Sequence, residues 1–226
     1  MTGIIERRGL IAVAVATALA SQTASAAGSA NGIETQPMAI DPKSIPGLSE
    51  NILRSHYDNN YSGAVKRLNA INEQLGALDF ATAANFTING LKREQLVAMN
   101  SMILHEVYFA SLGQGGEPAG NLAASIEQSF GAVTKWRSEF SAMGKALGGG
   151  SGWVLLSYSP RLKRLINVWA ADHTMTGADG VPILALDMYE HAYHMDFGAK
   201  SGAYVDAYMK AINWGAVAGA YKTASG

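Results

Sequence analysis

The side chains best suited to metal chemistry cluster in residues 187–196, which read DMYEHAYHMD. Asp187 and His191 stand four positions apart, so a single turn of chain can direct both toward one ion. A carboxylate with a neutral imidazole suits iron, manganese or zinc better than calcium. The pair follows VPILAL, an apolar run that predicts a buried strand. A metal site at the end of a rigid strand is therefore predicted, with a chance pair of surface residues as the alternative.

Two further histidines stand in the N-terminal half. His56 and His105 fall on two long helical patterns in apolar surroundings, where a lone histidine is more often a satisfied core residue than a ligand. Placed on facing antiparallel helices, they complete a set of three imidazoles and one carboxylate with the Asp187–His191 pair. Such a set suits iron and manganese in their divalent and trivalent states, and it leaves a fifth position for solvent.

The first half of the chain is predicted to be all-helical. A pattern beginning at Ser49 and Glu50 has apolar residues three and four positions apart, and residues 60–63 (NYSG) predict a kink or two consecutive helices. Residues 79–90 are a predicted polar connection, and residues 91–112 a second, antiparallel helix that stops at Gly113. The predicted inward residues are Leu48, Ile52, Val65, Leu68, Ile71 and Leu75 on the first pattern, and Leu96, Met99, Ile103, Val107 and Ala110 on the second.

The second half mixes helices and strands. Residues 119–146 predict two helices broken near Gly131, and the Gly148–Gly150 run ends the second. Strands are predicted at 153–158, 165–170 and 181–186, and helix returns over 189–222 with an interruption at 198–202. The fold class is therefore α+β. An N-terminal antiparallel helical hairpin domain (47–114) precedes a C-terminal α/β domain (115–226).

Composition excludes several classes of protein. The 226 residues include no cysteine, which excludes disulfides, cysteine-ligated zinc and iron–sulfur clusters. With 17 basic and 18 acidic residues there is no basic stripe, so no nucleic-acid partner is expected.

The N-terminus has the pattern of an export signal. Arg7 and Arg8 precede an apolar run too short to span a membrane, and an A-x-A cleavage pattern ends at Ala26. The paired arginines also resemble a twin-arginine signal, as an alternative to the general secretory route. Removal of residues 1–26 would leave 15 basic and 17 acidic residues, a formal charge of −2, on a periplasmic or secreted protein. Residues 27–46 are a predicted extended lead-in.

Several motifs together resemble the iron/manganese superoxide dismutase family from about Pro37 to the end. DMYEHAYH is similar to the family's D-x-W-E-H-A-Y-Y signature; GGEPAG (115–120), GSGW (150–153) and NW (213–214) match too. The resemblance implies ligands at His56, His105, Asp187 and His191, and a metal held between a helical hairpin and a domain with three antiparallel strands. It also implies a homodimer in which Glu190 of one subunit reaches His191 of the other.

The same resemblance assigns residues around the ligands. In the family, a glutamine on either the hairpin or the C-terminal domain hydrogen-bonds the solvent bound to the metal. The hairpin position is Ser101 here, whose side chain is too short to reach. The C-terminal position corresponds to Asp172 or His173, and we favour His173. A loop histidine bonded to the backbone is the alternative. Trp153 retains one of the family's tryptophans; Phe109, Leu155 and Tyr189 replace others.

The residues that control access depart most from the family. Asn60 and Ala64 replace the family's gate histidine and gate tyrosine, and His194 replaces a further tyrosine. Ser201, next to Lys200, replaces the family's arginine that guides the anion. These departures predict either a rebuilt access path, in which Tyr61, His173 and His194 deliver protons, or slower dismutation.

The predicted activity is conversion of superoxide to dioxygen and hydrogen peroxide by one iron or manganese ion per subunit. The alternative is a metal-binding protein of the same fold with weak or no activity, and a third reading is a metal-free helical protein. The sequence distinguishes neither iron from manganese nor dimer from tetramer.

Overall fold

The computed structural model describes residues 32–147 and 150–226. The predicted signal (1–26) and the first residues of the lead-in lie outside this part of the chain, as do Gly148 and Gly149. In the described part, no helix combines the length and apolarity needed to cross a membrane.

The lead-in runs in extended and turn conformation along the first helices, as its prolines predict. The Asn69 side chain accepts from the amide of Ile33 at 2.9 Å and donates to its carbonyl at 2.8 Å. The Gln36 amide donates to the Tyr61 hydroxyl, and the Gln36 carbonyl accepts from Tyr57. Four side chain–backbone hydrogen bonds therefore fix this segment to the hairpin.

The first arm of the hairpin contains an irregular turn at the candidate ligand His56. The arm begins at Ser49, whose hydroxyl accepts from the Ile52 amide and caps the helix. A π-helical segment then widens the turn; such segments often occur at functional sites. The predicted inward residues of this arm are all buried. The elements are α1 (Glu50–Ser55), a π-helix (His56–Tyr61) and α2 (Ser62–Gly76).

The second arm, α3, corrects two predictions. It spans Asn85–Ala110, so half of the predicted polar connection is helical and the helix starts six residues early. The predicted apolar side is also wrong: Leu96, Met99 and Ile103 are each 38–39% exposed. The residues that α3 buries are Ala98, Ser101, Leu104, His105, Tyr108 and Phe109.

The C-terminal half forms a three-stranded antiparallel sheet in the order β2–β1–β3 with helices around it, as predicted. The central strand is buried along its whole length. Gly152 precedes it at φ 140°, where an added Cβ would collide with the Ala170 carbonyl, so the chain needs glycine at this position. The elements are α4 (Gly120–Phe130), α5 (Val133–Ala146), β1 (Trp153–Ser159), β2 (Arg164–Ala170), β3 (Val181–Asp187), a 3₁₀ turn (Glu190–Ala192), α6 (His194–Phe197), α7 (Ser201–Tyr208) and α8 (Trp214–Ser225).

The two halves share one hydrophobic core. Leu53 of α1 and Tyr108 of α3 belong to the same buried cluster as Leu156 of β1 and Leu184 of β3. Asp196 adds a link at the surface, since its carboxylate accepts from both the amide and the hydroxyl of Ser49. The end of the hairpin that carries the candidate ligands is therefore packed on the sheet domain.

Candidate metal centre

The structure brings His56, His105, Asp187 and His191 together. One potential ligand atom from each lies within 4.8 Å of all the others. The Oδ2 atom of Asp187 lies 3.1 Å from His56 Nε2, 3.2 Å from His191 Nε2 and 3.6 Å from His105 Nε2. Three imidazole nitrogens thus surround one carboxylate oxygen.

Each ligand comes from a different kind of element. Asp187 is the last residue of β3, and the 3₁₀ turn that follows returns His191 beside it. His56 opens the π-helix, and His105 lies near the C-terminal end of α3. The sheet and both arms of the hairpin therefore position the cluster jointly.

Hydrogen bonds outside the cluster orient two of the ligands. His105 Nδ1 donates to the Ser101 carbonyl at 2.6 Å, which leaves the Nε2 lone pair facing the cluster. The other oxygen of Asp187, Oδ1, accepts from the Tyr189 amide at 2.8 Å. Partners of this kind fix the tautomer and orientation of metal ligands.

The electrostatics favour the protonation states that bind a metal. Burial lowers the pKa of His56, and it lowers that of His105 to about 3, so both imidazoles are neutral. Burial opposes ionisation of Asp187, but His191 and His56 outweigh it and hold the pKa of the carboxyl well below its usual range. Metal ligation requires neutral imidazole and ionised carboxylate.

One atom shows that the cluster fits an ion. His105 Nε2 is buried and has no hydrogen-bond partner in the described part of the chain. An unsatisfied buried polar atom costs about 1–3 kcal/mol, and a cation would use its lone pair. The nitrogen and oxygen donors suit iron, manganese or zinc.

His173 lies beside the cluster in a defined tautomer. Its Nδ1 accepts from the Trp153 indole N–H at 3.0 Å, and its ring lies 6.3 Å from that of His105. Because Nδ1 accepts, neutral His173 carries its proton on Nε2. Burial lowers the pKa of His173, which favours this neutral form. His173 can therefore donate one hydrogen bond from Nε2.

Tyr189, at a tryptophan position of the resembled family, stacks between two histidines. Its ring centroid lies 4.8 Å from that of His173 and 5.5 Å from that of His191, with interplanar angles of 10° and 16°. The stack joins the predicted donor to a ligand and restricts rotation of both rings.

A partly polar pocket opens on the hairpin side of the cluster. Asn60 lines it, together with Ala64 one turn further along the helix. Ser101 and His173 also line it, and the Ser101 hydroxyl lies 3.4 Å from His105 Nδ1. The pocket thus reaches residues that contact the cluster. Its lining is Asn59, Asn60, Gly63, Ala64, Arg67, Val97, Ala98, Ser101 and His173.

Comparison with known proteins gives this site a family. Residues 118–220 match the model for the C-terminal domain of iron/manganese superoxide dismutases. Over 181 residues the chain is 64% identical to "Superoxide dismutase [Fe]" of Cupriavidus metallidurans, across 80% of this chain and 92% of that protein. The chain belongs to the iron/manganese superoxide dismutase family. It is also 34% identical to "Superoxide dismutase [Mn]" of Haloarcula marismortui (84% and 93% covered) and 31% identical to "Superoxide dismutase [Fe]" of Aquifex aeolicus (79% and 86%).

Tyr61 lies away from the pocket beside His173. The Tyr61 side chain is buried, and its hydroxyl donates to Glu106 at 2.9 Å and accepts from the Gln36 amide. It does not line the pocket next to His173. Tyr61 therefore fastens the lead-in to α3, and burial raises the pKa of its hydroxyl to about 12, which disfavours proton release.

Glu190 and His194 lie outside the metal cluster within the described chain. Both are exposed, as is Met195 next to them. The His191 side chain is 26% exposed, whereas the other three ligand side chains are at most 1% exposed. Glu190 and His194 thus belong to the surface beside the one ligand that is open to solvent.

Two residues with contacts at the site were missed by sequence reasoning. The Asn100 side chain donates to the His173 carbonyl at 2.6 Å and holds its loop against α3. Arg67 lines the pocket from α2, eleven positions after His56. Spacing along the chain could not have identified either residue, because a π-helix lies between His56 and Arg67 and the Asn100 contact depends on the loop's path.

Proposed function

We propose that this protein is a superoxide dismutase that uses one iron or manganese ion held by His56, His105, Asp187 and His191. The observation that carries this proposal is the buried group of four ligand atoms within 4.8 Å of one another. Iron or manganese, when bound, supplies one-electron redox chemistry. The overall reaction converts two superoxide ions and two protons into one dioxygen and one hydrogen peroxide.

His173 is the proposed hydrogen-bond donor toward the reacting centre. The Trp153 N–H fixes its tautomer, and the Tyr189 stack fixes its ring plane. This arrangement supports the role for which the family has a glutamine. Such donors orient solvent and substrate, and their removal costs roughly 10–100-fold in metal affinity or activity.

The protein is further proposed to form a homodimer through the surface that contains Glu190, with Glu190 of one copy reaching His191 of the other. The exposed edge of His191 supports this proposal, because the other three ligands are almost completely buried. Analytical ultracentrifugation should give twice the subunit mass, and Glu190→Ala should weaken the association. A monomer at micromolar concentration would contradict it.

The mature protein is proposed to be periplasmic or secreted, on the strength of the signal pattern in residues 1–26. N-terminal sequencing of the protein from the periplasmic fraction should find a start near Ala27. Recovery of the uncleaved chain from the cytoplasm would exclude export.

The function is tested by metal analysis together with a superoxide-removal assay. The native protein should contain about one iron or manganese per subunit and remove superoxide far faster than the free ion. Asp187→Asn should lose both properties, because it removes the central charged ligand. Asp206→Asn, at an exposed carboxylate paired with Lys145, is the matched control and should keep both.

The outcomes distinguish an active dismutase from a metal-binding protein of the same fold. A metal-replete protein that removes superoxide no faster than free metal would establish the metal-binding alternative. In an active protein, His173→Gln should retain most of the rate and His173→Ala should lose roughly 10–100-fold. Rates equal to that of the unchanged protein in both variants would remove His173 from the mechanism.

A further inference from the structure

The pocket beside the metal centre is lined by a single charged residue. Among its lining residues only Arg67 is charged; the other polar ones are Asn59, Asn60, Ser101 and His173. The Arg67 side chain is 58% exposed and therefore faces both solvent and pocket. An anion that enters here meets a cation before it reaches the residues around His105.

The two substituted gate positions line this pocket. Asn60 and Ala64 carry smaller side chains than the histidine and tyrosine expected from the family resemblance. Both lie on the same helical arm as Arg67, so shortening them leaves the path from Arg67 toward His173 unfilled. The remaining space has a volume of about 230 Å³.

Charges of both signs stand next to the pocket lining. Arg67 forms an ion pair with Glu94, and Arg93 pairs with the same carboxylate at 3.0 Å. Two guanidinium groups therefore share one carboxylate. Asp172, which follows β2, is held by the amide and hydroxyl of Thr174 and does not line the pocket.

We propose that Arg67 is the anion-guiding residue of this protein and draws superoxide into the pocket between Asn60 and His173. Serine stands at the family's guiding-arginine position, Ser201, and neither Ser201 nor Lys200 lines the pocket. This inference rests on the proposed dismutase function. Steering by a local charge raises association rates and weakens as salt increases.

The test compares Arg67→Gln with Arg93→Gln. Both variants remove one positive charge paired with Glu94, and both arginine side chains are 58% exposed, but only Arg67 lines the pocket. At low salt, Arg67→Gln should lower kcat/KM about 3- to 10-fold with little change in kcat, while Arg93→Gln should change it less than twofold. The difference should vanish near 0.5 M salt, and Arg67→Lys should restore most of the loss.

A binding measurement separates this inference from the proposed function. Azide titrated into the iron(III)-loaded protein and followed by absorbance should bind several-fold more weakly to Arg67→Gln than to Arg93→Gln. Glu94→Gln should tighten azide binding, because it releases Arg67 from its ion pair.

Two outcomes overturn the role of Arg67: equal effects of the two arginine variants, or effects that do not change with salt. If the iron-loaded protein binds azide as expected but does not remove superoxide, the dismutase proposal fails while anion guidance stands.

Discussion

The two ends of the helical hairpin are stabilised differently. The end that carries His56 and His105 belongs to the large core shared with the sheet. The hairpin tip (residues 68–102) has a separate, small core of Leu68, Ile71, Leu75 and Ala98. The sheet domain therefore helps to hold the ligands, whereas the tip packs mainly within the hairpin and reaches the site through Asn100 and Ser101.

The largest expected effect contrasts a leucine of the sheet with one of the tip. Leu156→Ala should lower the free energy of unfolding by about 4 kcal/mol, because the side chain is fully buried in the central strand and its cavity cannot collapse. Leu75→Ala should cost only about 2 kcal/mol, because that residue ends α2 in the small cluster, where neighbours can relax. Urea unfolding of both metal-free variants measures the difference; equal losses would show the tip to be packed as tightly as the sheet.

The secondary structure of the sheet was easier to predict from the sequence than that of the hairpin. The three strands are short, largely apolar runs separated by turn residues, and the structure places their ends within one residue of the prediction. Periodicity also identified α3 as a helix, but it selected the wrong side. The inner side of α3 holds Ala98, Ser101 and His105, because the facing arm and the cluster need small and polar residues there. Hydropathy assigns such residues to the surface.

Spacing along the chain predicted the site's ligands better than its surroundings. The Asp187–His191 spacing and the two helical histidines identified a set that the structure brings together. The position of the Tyr61 hydroxyl was not predictable, because the π-helix from His56 to Tyr61 departs from α-helical spacing and changes which way its last side chain points. The role of Arg67 depends on a pocket formed by two helical arms and a loop, which spacing alone does not reveal.

An effect of intermediate size is expected on stability at low pH. It should arise at the ligand end of the hairpin rather than at the tip, which contains no histidine. The pKa of His105 is about 3 in the folded chain, against an ordinary value of 6.5. As pH falls below 6.5, the unfolded chain binds a proton at this histidine that the folded chain does not bind. The contribution of His105 to stability is therefore complete above pH 6.5 and is lost as the pH falls toward 3. His105 alone should take about 2 kcal/mol from the free energy of unfolding of the metal-free protein between pH 8 and pH 5. The lowered pKa values of His56 and His173 act in the same direction.

Unfolding by guanidinium at the two pH values, with the metal-loaded protein as control, measures this acid effect. Bound metal competes with protons, so the loaded protein should lose stability only at lower pH. A metal-free protein equally stable at pH 8 and pH 5 would contradict the burial of a neutral imidazole at position 105.

The smallest expected effect is at the outer side of α3. Leu96, Met99 and Ile103 form an apolar stripe that is more than a third exposed, on the side opposite the buried His105. Met99→Gln should therefore change the free energy of unfolding by less than about 0.5 kcal/mol, as is usual for surface positions. Ala98→Gln, one residue earlier and 1% exposed, is the matched comparison and should be strongly destabilising because the tip core has no room for an amide. Thermal unfolding at several protein concentrations measures both; a loss for Met99→Gln that depends on concentration would mean that another copy of the chain covers the stripe.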